Sequence, residues 1–161
     1  MADAAPPPDL LDYLADNLGD PPPARILLVA EDETPLAARI RERAPDADCL
    51  TLTPAEMDDA RVGEQAFDLA IVTDLLESRP TRAAAQGLGR LRDIYSHRFW
   101  LIVSPAADWT NADLIGYGLK RAGHFADWRL YRFNIHDYKD VPDWLNSRYW
   151  ANPERWGQER W

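Results

Sequence analysis

Three continuous apolar runs punctuate the chain: residues 25–30 (Arg-Ile-Leu-Leu-Val-Ala), 67–73 (Phe-Asp-Leu-Ala-Ile-Val-Thr) and 99–103 (Phe-Trp-Leu-Ile-Val). Runs of this length without alternation, bounded by turn residues, are the pattern of strands buried on both faces. Segments with helical spacing separate them. Asp9 stands as an N-cap before Leu10, Leu11, Leu14 and Leu18, with Gly19 as the stop. Thr34 and Pro35 open a helix that turns Leu36 and Ile40 inward and Arg39, Arg41 and Arg43 outward, and Pro45 ends it. A helix over 80–95 packs Leu88, Leu91 and Ile94, with Gly87 and Gly89 weakening its middle. Another starts at Thr110, with Asp113 in capping-box position, and runs to Arg121 with Gly123 as its stop. Weaker signals give a short strand at 49–52, a short polar helix near 54–61 and a last strand between Trp128 and Ile135. The apolar residues of that last strand occupy both faces, which leaves its register open.

Alternation of strand and helix predicts an α/β domain: a Rossmann-like three-layer sandwich with a mostly parallel sheet of about five strands and right-handed connections. One domain over 1–161 is the economical division. A Pro-rich leader and helix occupy 1–23, the α/β core 24–136, and a Trp-rich tail with short helices 137–161. In such sheets ligands bind beyond the carboxyl ends of the strands, so the turns after 30, 73 and 103 are where a site is expected.

Charge narrows the partners. The net charge is −9, and residues 1–116 carry 10 Lys and Arg against 21 Asp and Glu, whereas 117–161 carry 8 against 6. Such a chain repels a phosphate backbone, so nucleic acid is not an expected partner. A stretch of about 18 apolar residues is missing and the first residues lack a basic, then greasy, signal pattern, so no membrane association is expected and a cytoplasmic location is. The single cysteine, Cys49, excludes an internal disulfide framework and reads as an inert core thiol.

The turn after the first strand, Ala30-Glu31-Asp32-Glu33-Thr34, holds no glycine; none occurs between Gly19 and Gly63. Nucleotide sites need close backbone approach to phosphate, which glycine allows, so NAD, FAD and nucleoside triphosphates are not expected. Glu31 and Asp32 either complement the helix dipole or grip a hydroxyl-rich or cationic ligand. After the second strong strand, Asp74 and Glu77 could act as acid or base or hydrogen-bond a ligand; alternatively Asp74 satisfies backbone donors at the strand end and Glu77 faces solvent, the favoured reading for Glu77. Thr53 and Ser104 close two further strands at the same edge and join Glu31, Asp32, Asp74 and Glu77 as ligand-binding candidates. His97 and His124 read as C-terminal partners of helices, whereas His136, beside Asp137 and Tyr138, is a second catalytic candidate with Asp74. Metal-ligand spacing and a nucleophile elbow are both lacking, so no metal is expected.

Four of the seven tryptophans lie in the last 18 residues. Pro142 and the Asn152-Pro153-Glu154 segment read as helix starts, predicting two short helices. Large aromatic areas could clamp this tail onto the body, while Trp144, Asn146, Arg148 and Trp150 could instead form an interaction surface or a lid.

The order of elements resembles the class I S-adenosylmethionine-dependent methyltransferases over residues 24–136. The stretch 67–77, Phe-Asp-Leu-Ala-Ile-Val-Thr-Asp-Leu-Leu-Glu, is similar to that family's fourth strand and active-site turn, and the likeness continues through 88–103 and 119–125. It implies a Rossmann-like fold. The chain departs from the family's cofactor motifs: 30–34 replaces a glycine-rich turn, Thr53 stands where the ribose-binding acid belongs, and the family's third strand has no room before Phe67. Residues 136–154, His-Asp-Tyr-Lys-Asp-Val-Pro-Asp-Trp-Leu-Asn-Ser-Arg-Tyr-Trp-Ala-Asn-Pro-Glu, resemble the ending of a bacterial family of short methyltransferase-like proteins of unknown function. Together these imply a pseudoenzyme-like module with no cofactor, binding a protein or small molecule. The alternative is a divergent methyltransferase holding S-adenosylmethionine through Glu31, Asp32 and Thr53.

Overall fold

The structure, a computed structural model, describes residues 5–31, 35–58, 67–96 and 98–138. Its centre is a six-stranded sheet. The strands in chain order are β1 (Arg25–Val29), β2 (Asp48–Leu52), β3 (Leu69–Val72), β4 (Arg98–Val103), β5 (Lys120–Phe125) and β6 (Trp128–Asn134), and their spatial order is β2-β1-β3-β4-β6-β5. The first four run parallel; β6 lies antiparallel to β4, and β5 antiparallel to β6.

The period of two along each strand divides the core into two halves. Ile26, Leu28, Leu69, Ile71, Trp100, Ile102 and Leu130 pack under helices α1 (Pro8–Asp16) and α2 (Pro35–Arg43). Leu27, Val29, Ala70, Val72, Leu101, Val103 and Tyr131 face the other layer. That layer consists of α3 (Leu75–Ser78), α4 (Thr81–Arg90) and α5 (Asn111–Gly116). A four-residue helix, α6 (Ile135–Tyr138), follows β6. Helices α1 and α2 are joined at their surface by two rungs, Arg39 Nε–Asp12 Oδ1 at 3.1 Å and Arg43 Nη2–Asp16 Oδ1 at 2.7 Å. Exposed pairs of this kind add at most about 1 kcal/mol each, so the apolar faces hold the layers together.

The fold class follows the sequence expectation, with four corrections. First, the helix expected from Thr110 to Arg121 ends at Gly116, with Tyr117 at the C-cap and Gly118 at φ 88°. The chain then forms β5, an unexpected sixth strand, in which Gly123 and His124 sit instead of following a helix. Gly123 lies at the register shift between Arg121 and Gly123 in the β5–β6 ladder, where a Cβ would come within 2.8 Å of the Phe125 ring. Second, α4 passes into a π-helical turn, Leu91–Tyr95. The wider turn moves the buried position by one residue, so Leu88, Leu91 and Tyr95 are buried while Ile94 is 50% exposed. Third, α1 begins with Pro7 as its N-cap and Pro8 as its first residue, leaving Asp9 in the first turn. Pro8 sets the helical φ at no cost in hydrogen bonds, and the Asp9 carboxylate complements the dipole. Fourth, β2 is an edge strand, so Cys49 is half-buried and not in the core, and burial pushes its thiol pKa up.

Between β2 and β3 the described residues hold a single 3-10 turn, Glu56–Asp58. The expected cap at Thr34, His97 and the two tail helices lie outside the described residues. No helix among the described residues is long and apolar enough to cross a membrane.

The shifted stripe on the π-helical turn makes a direct prediction. Leu91→Ala should lower unfolding free energy by about 2–5 kcal/mol, whereas Ile94→Ala should stay within about 0.5 kcal/mol, in urea titrations of the two variants.

Candidate functional site at the carboxyl edge of the sheet

Strands β1, β3 and β4 end side by side, and the next residues of each carry the groups singled out from sequence. Asp74 follows β3 in a left-handed conformation, φ 64° and ψ 0°, which a short polar side chain tolerates better than a branched one. That conformation reverses the chain into α3 and leaves the carboxylate beside the β1 turn, where Asp74 Oδ2 accepts a hydrogen bond from Glu31 N at 3.1 Å. The Glu31 side chain is exposed, and Asp32 lies outside the described residues.

Glu77 does not face water as expected. Its position in α3 turns it toward the end of β4, where Oε1 accepts a 2.7 Å hydrogen bond from Ser104 N. Its Oε2 is buried with no hydrogen-bond partner. Burial is the main cause that raises the Glu77 pKa, and the Asp74 charge adds to it, against the lowering effect of the Ser104 N–H and other backbone donors. Ser104, 6% exposed, also accepts from Ala106 N through Oγ at 3.0 Å, so its hydroxyl oxygen shapes its own turn.

Thr53 reaches the same edge, since Ala30 N bonds to Leu52 O at 2.9 Å. Its hydroxyl accepts from Glu56 N at 3.3 Å while Glu56 Oε2 accepts from Thr53 N at 2.8 Å, a reciprocal pair that caps the 3-10 turn. Arg79 Nη1 donates to Pro54 O at 2.7 Å and ties the exit of α3 to this turn.

The structure therefore gathers Glu31, Thr53, Asp74, Glu77 and Ser104 at one edge. It does not bring His136 there. His136 is exposed in α6 after Asn134, which pairs with Arg98 at the start of β4. A six-residue strand places that end about 20 Å from the carboxyl edge, so Asp74 and His136 stand at opposite ends of the sheet. The backbone of His136 instead donates to Asn134 Oδ1 at 3.0 Å. Trp144, Asn146, Arg148 and Trp150 lie outside the described residues. Among the described residues no group of three His, Cys, Asp or Glu side chains could hold a metal ion.

A recess that sequence did not point to opens past β4, with a volume near 380 Å³, between Thr81, Asp108, Trp109, Ala112 and Tyr117. The Trp109 and Tyr117 rings stand 5.9 Å apart and tilted by 49°. Arg129 Nη2 donates to Trp109 O at 2.7 Å, and Tyr131 Oη donates to Asn111 Oδ1 at 2.8 Å, holding this loop on the start of β6. The capping box expected at Thr110 and Asp113 is present and fixes the loop's exit. Its bonds to Thr110 hold the Asp113 carboxyl below the usual carboxylate range.

Residues 8–161 match the model of a family described as a family of unknown function (DUF6231). No functionally curated protein matches the chain. Among solved structures, an O-methyltransferase family protein from Burkholderia thailandensis is similar over 78% of this chain at a TM-score of 0.60 and 10% identity. The chain spans 55% of the length of that protein. The methyltransferase domain of bacterial CtHen1-C is similar over 78% of this chain and 96% of its own length, at a TM-score of 0.53 and 9% identity. At such identities the likeness is one of fold.

Two substitutions separate the roles at this edge. Asp74→Ala should lower stability by about 1–3 kcal/mol through the lost hydrogen bond and the left-handed backbone, while Asp74→Asn should lie within about 1 kcal/mol of wild type, in denaturant titrations. For Glu77, a raised folded pKa means that the folded chain binds more protons than the unfolded one above pH 4.5, so this residue's contribution falls as pH rises through the folded value. Glu77→Gln should therefore gain stability relative to wild type as pH is raised from 4.5 to neutrality, measured as the difference in melting temperature across the pH series.

Proposed function

The chain belongs to DUF6231, and we propose that it is a methyltransferase-like binding module that acts without S-adenosylmethionine, recognising a protein or small molecule. One observation carries this reading. The backbone donors Glu31 N and Ser104 N, at the strand ends where this fold presents N–H groups to a ligand, are taken by the protein's own carboxylates, Asp74 at 3.1 Å and Glu77 at 2.7 Å. The residues around them point the same way. The hydroxyl of Thr53 and one carboxylate oxygen of Glu56 are engaged with each other's backbone, leaving that pair organised as a cap and not as a grip on ribose hydroxyls. Glycine is absent from the turn after β1, so close backbone approach to a cofactor has no local support.

The divergent-methyltransferase reading draws on one specific feature, the buried and unpartnered Oε2 of Glu77 with its raised pKa. Such a carboxyl is a general acid in form, since burial and a neighbouring acid hold its proton. It belongs equally to a structural strut that one hydrogen bond holds at the sheet's edge.

Calorimetric titration of the purified chain distinguishes the two. No heat of binding and no shift of the melting temperature are expected with S-adenosylmethionine or S-adenosylhomocysteine. Micromolar affinity for either compound would overturn the proposal.

A further inference from the structure

At the opposite edge of the sheet, β4, β6 and β5 bring basic side chains from three strands around one cleft of about 430 Å³, lined by Arg98, Arg121, Arg132, Trp100, Tyr13 and Asn17 among others. We infer that this cleft is a binding site for a small polyanion, recognised by guanidinium groups that converge on its phosphate or carboxylate oxygens.

The register creates the cluster. Arg132 of β6 lies directly opposite Trp100 on one side and Lys120 on the other. Arg98, two residues before Trp100, holds its guanidinium 5.7 Å from the centre of the Trp100 ring. Placing Lys120 opposite Arg132 opposes like charges across a ladder, an arrangement that weakens a sheet unless something neutralises it.

Between helices α1 and α2, which cover this face, two arginines are neutralised from within the protein. Arg39 pairs with Asp12 and Arg43 with Asp16. Among the described residues no carboxylate pairs with Arg98, Arg121 or Arg132, although the whole chain carries 27 acidic residues against 18 basic ones. Protection of a sheet edge against aggregation accounts for charges on β5, the outer strand. It does not account for Arg98 and Arg132, which sit on the interior strands β4 and β6.

The ligand's class follows from chemistry and size. Guanidinium forks match oxyanions in a bidentate manner, and more than one of them favours a ligand with several negative charges. The cleft is larger than a single phosphate needs and lies within the range of small-molecule sites, roughly 300–1,000 Å³. A net charge of −9 over the whole chain disfavours a long nucleic-acid backbone. This inference is independent of the reading of the carboxyl edge, because it uses none of the same residues.

Isothermal titration of the full chain at low ionic strength with inorganic pyrophosphate and, separately, citrate tests it. Saturable one-to-one binding of at least one is expected; preference for pyrophosphate identifies phosphate chemistry, and preference for citrate identifies polycarboxylate chemistry. Arg132→Gln and Arg121→Gln should each weaken binding about tenfold, while Arg82→Gln, an equal charge change on the exposed face of α4, should stay within about twofold. The melting temperature of the wild-type protein should rise with the bound anion, a readout that needs no variant. Lack of saturable binding by both anions, lack of any rise in melting temperature, or equal weakening by Arg82→Gln would overturn the proposal.

Discussion

The burial of β3 is the constraint from which the rest follows. All four of its residues, Leu69, Ala70, Ile71 and Val72, are 0% exposed, flanked by β1 and β4 in the sheet and covered by helices on both faces. A strand in that position can present nothing to solvent along its length. Polar chemistry is therefore confined to strand ends, and the buried polar residues Thr73 and Ser104 sit there, one residue beyond β3 and β4. Backbone groups at those ends must also find partners, because an unpaired buried N–H costs about as much as a lost hydrogen bond. The carboxyl edge is thus both the natural place for a ligand and the place where the fold most needs internal acceptors.

Asp74 and Glu77 answer that need from a single short segment. The left-handed turn at Asp74 redirects the chain so that one carboxylate reaches back to the β1 turn and the other, three residues on, reaches across to β4. Three parallel strands are thereby stitched at their ends by side chains of the middle one. The Glu77 carboxyl carries the tension of this arrangement: the Ser104 N–H favours its charged form, while burial and the nearby Asp74 favour the neutral one, and the latter prevail. Its second oxygen has no donor, so charge on this group is stabilised from one side only.

How far this was legible in sequence depended on the range of the interaction. The strands β1, β3 and β4 were readable because double burial makes an unbroken apolar run, and the Thr110–Asp113 cap was readable because its partners are three residues apart. The β5–β6 hairpin was missed. Its two-residue turn is Ala126-Asp127, with Ala126 at φ 50°, and lacks the Asn-Gly or Asp-Gly pair that signals such a turn. The apolar residues Leu114, Ile115, Tyr117 and Leu119 then read as one helix, although Gly118 at φ 88° ends it. The positions of Asp74 and Ser104 at strand ends were readable because they directly follow two of those apolar runs. Glu77 was assigned to solvent because its partner is 27 residues away, and no local pattern encodes that distance.

The same hairpin explains the charge polarity of the molecule. Because β6 runs against β4, the last residues of β6 lie beside the first of β4, and Arg132 and Arg98 meet at the edge away from Asp74. The antiparallel run keeps Arg132 at the opposite end of the sheet from Asp74 and Glu77. The reversal separates them: carboxylates turned inward onto backbone donors at one edge, guanidinium groups without carboxylate partners among the described residues at the other. Neither edge owes its chemistry to the parallel β1–β3–β4 frame alone. The fold shared with methyltransferases supplies the scaffold, whereas the placement of charge depends on one left-handed aspartate and one reversed pair of strands.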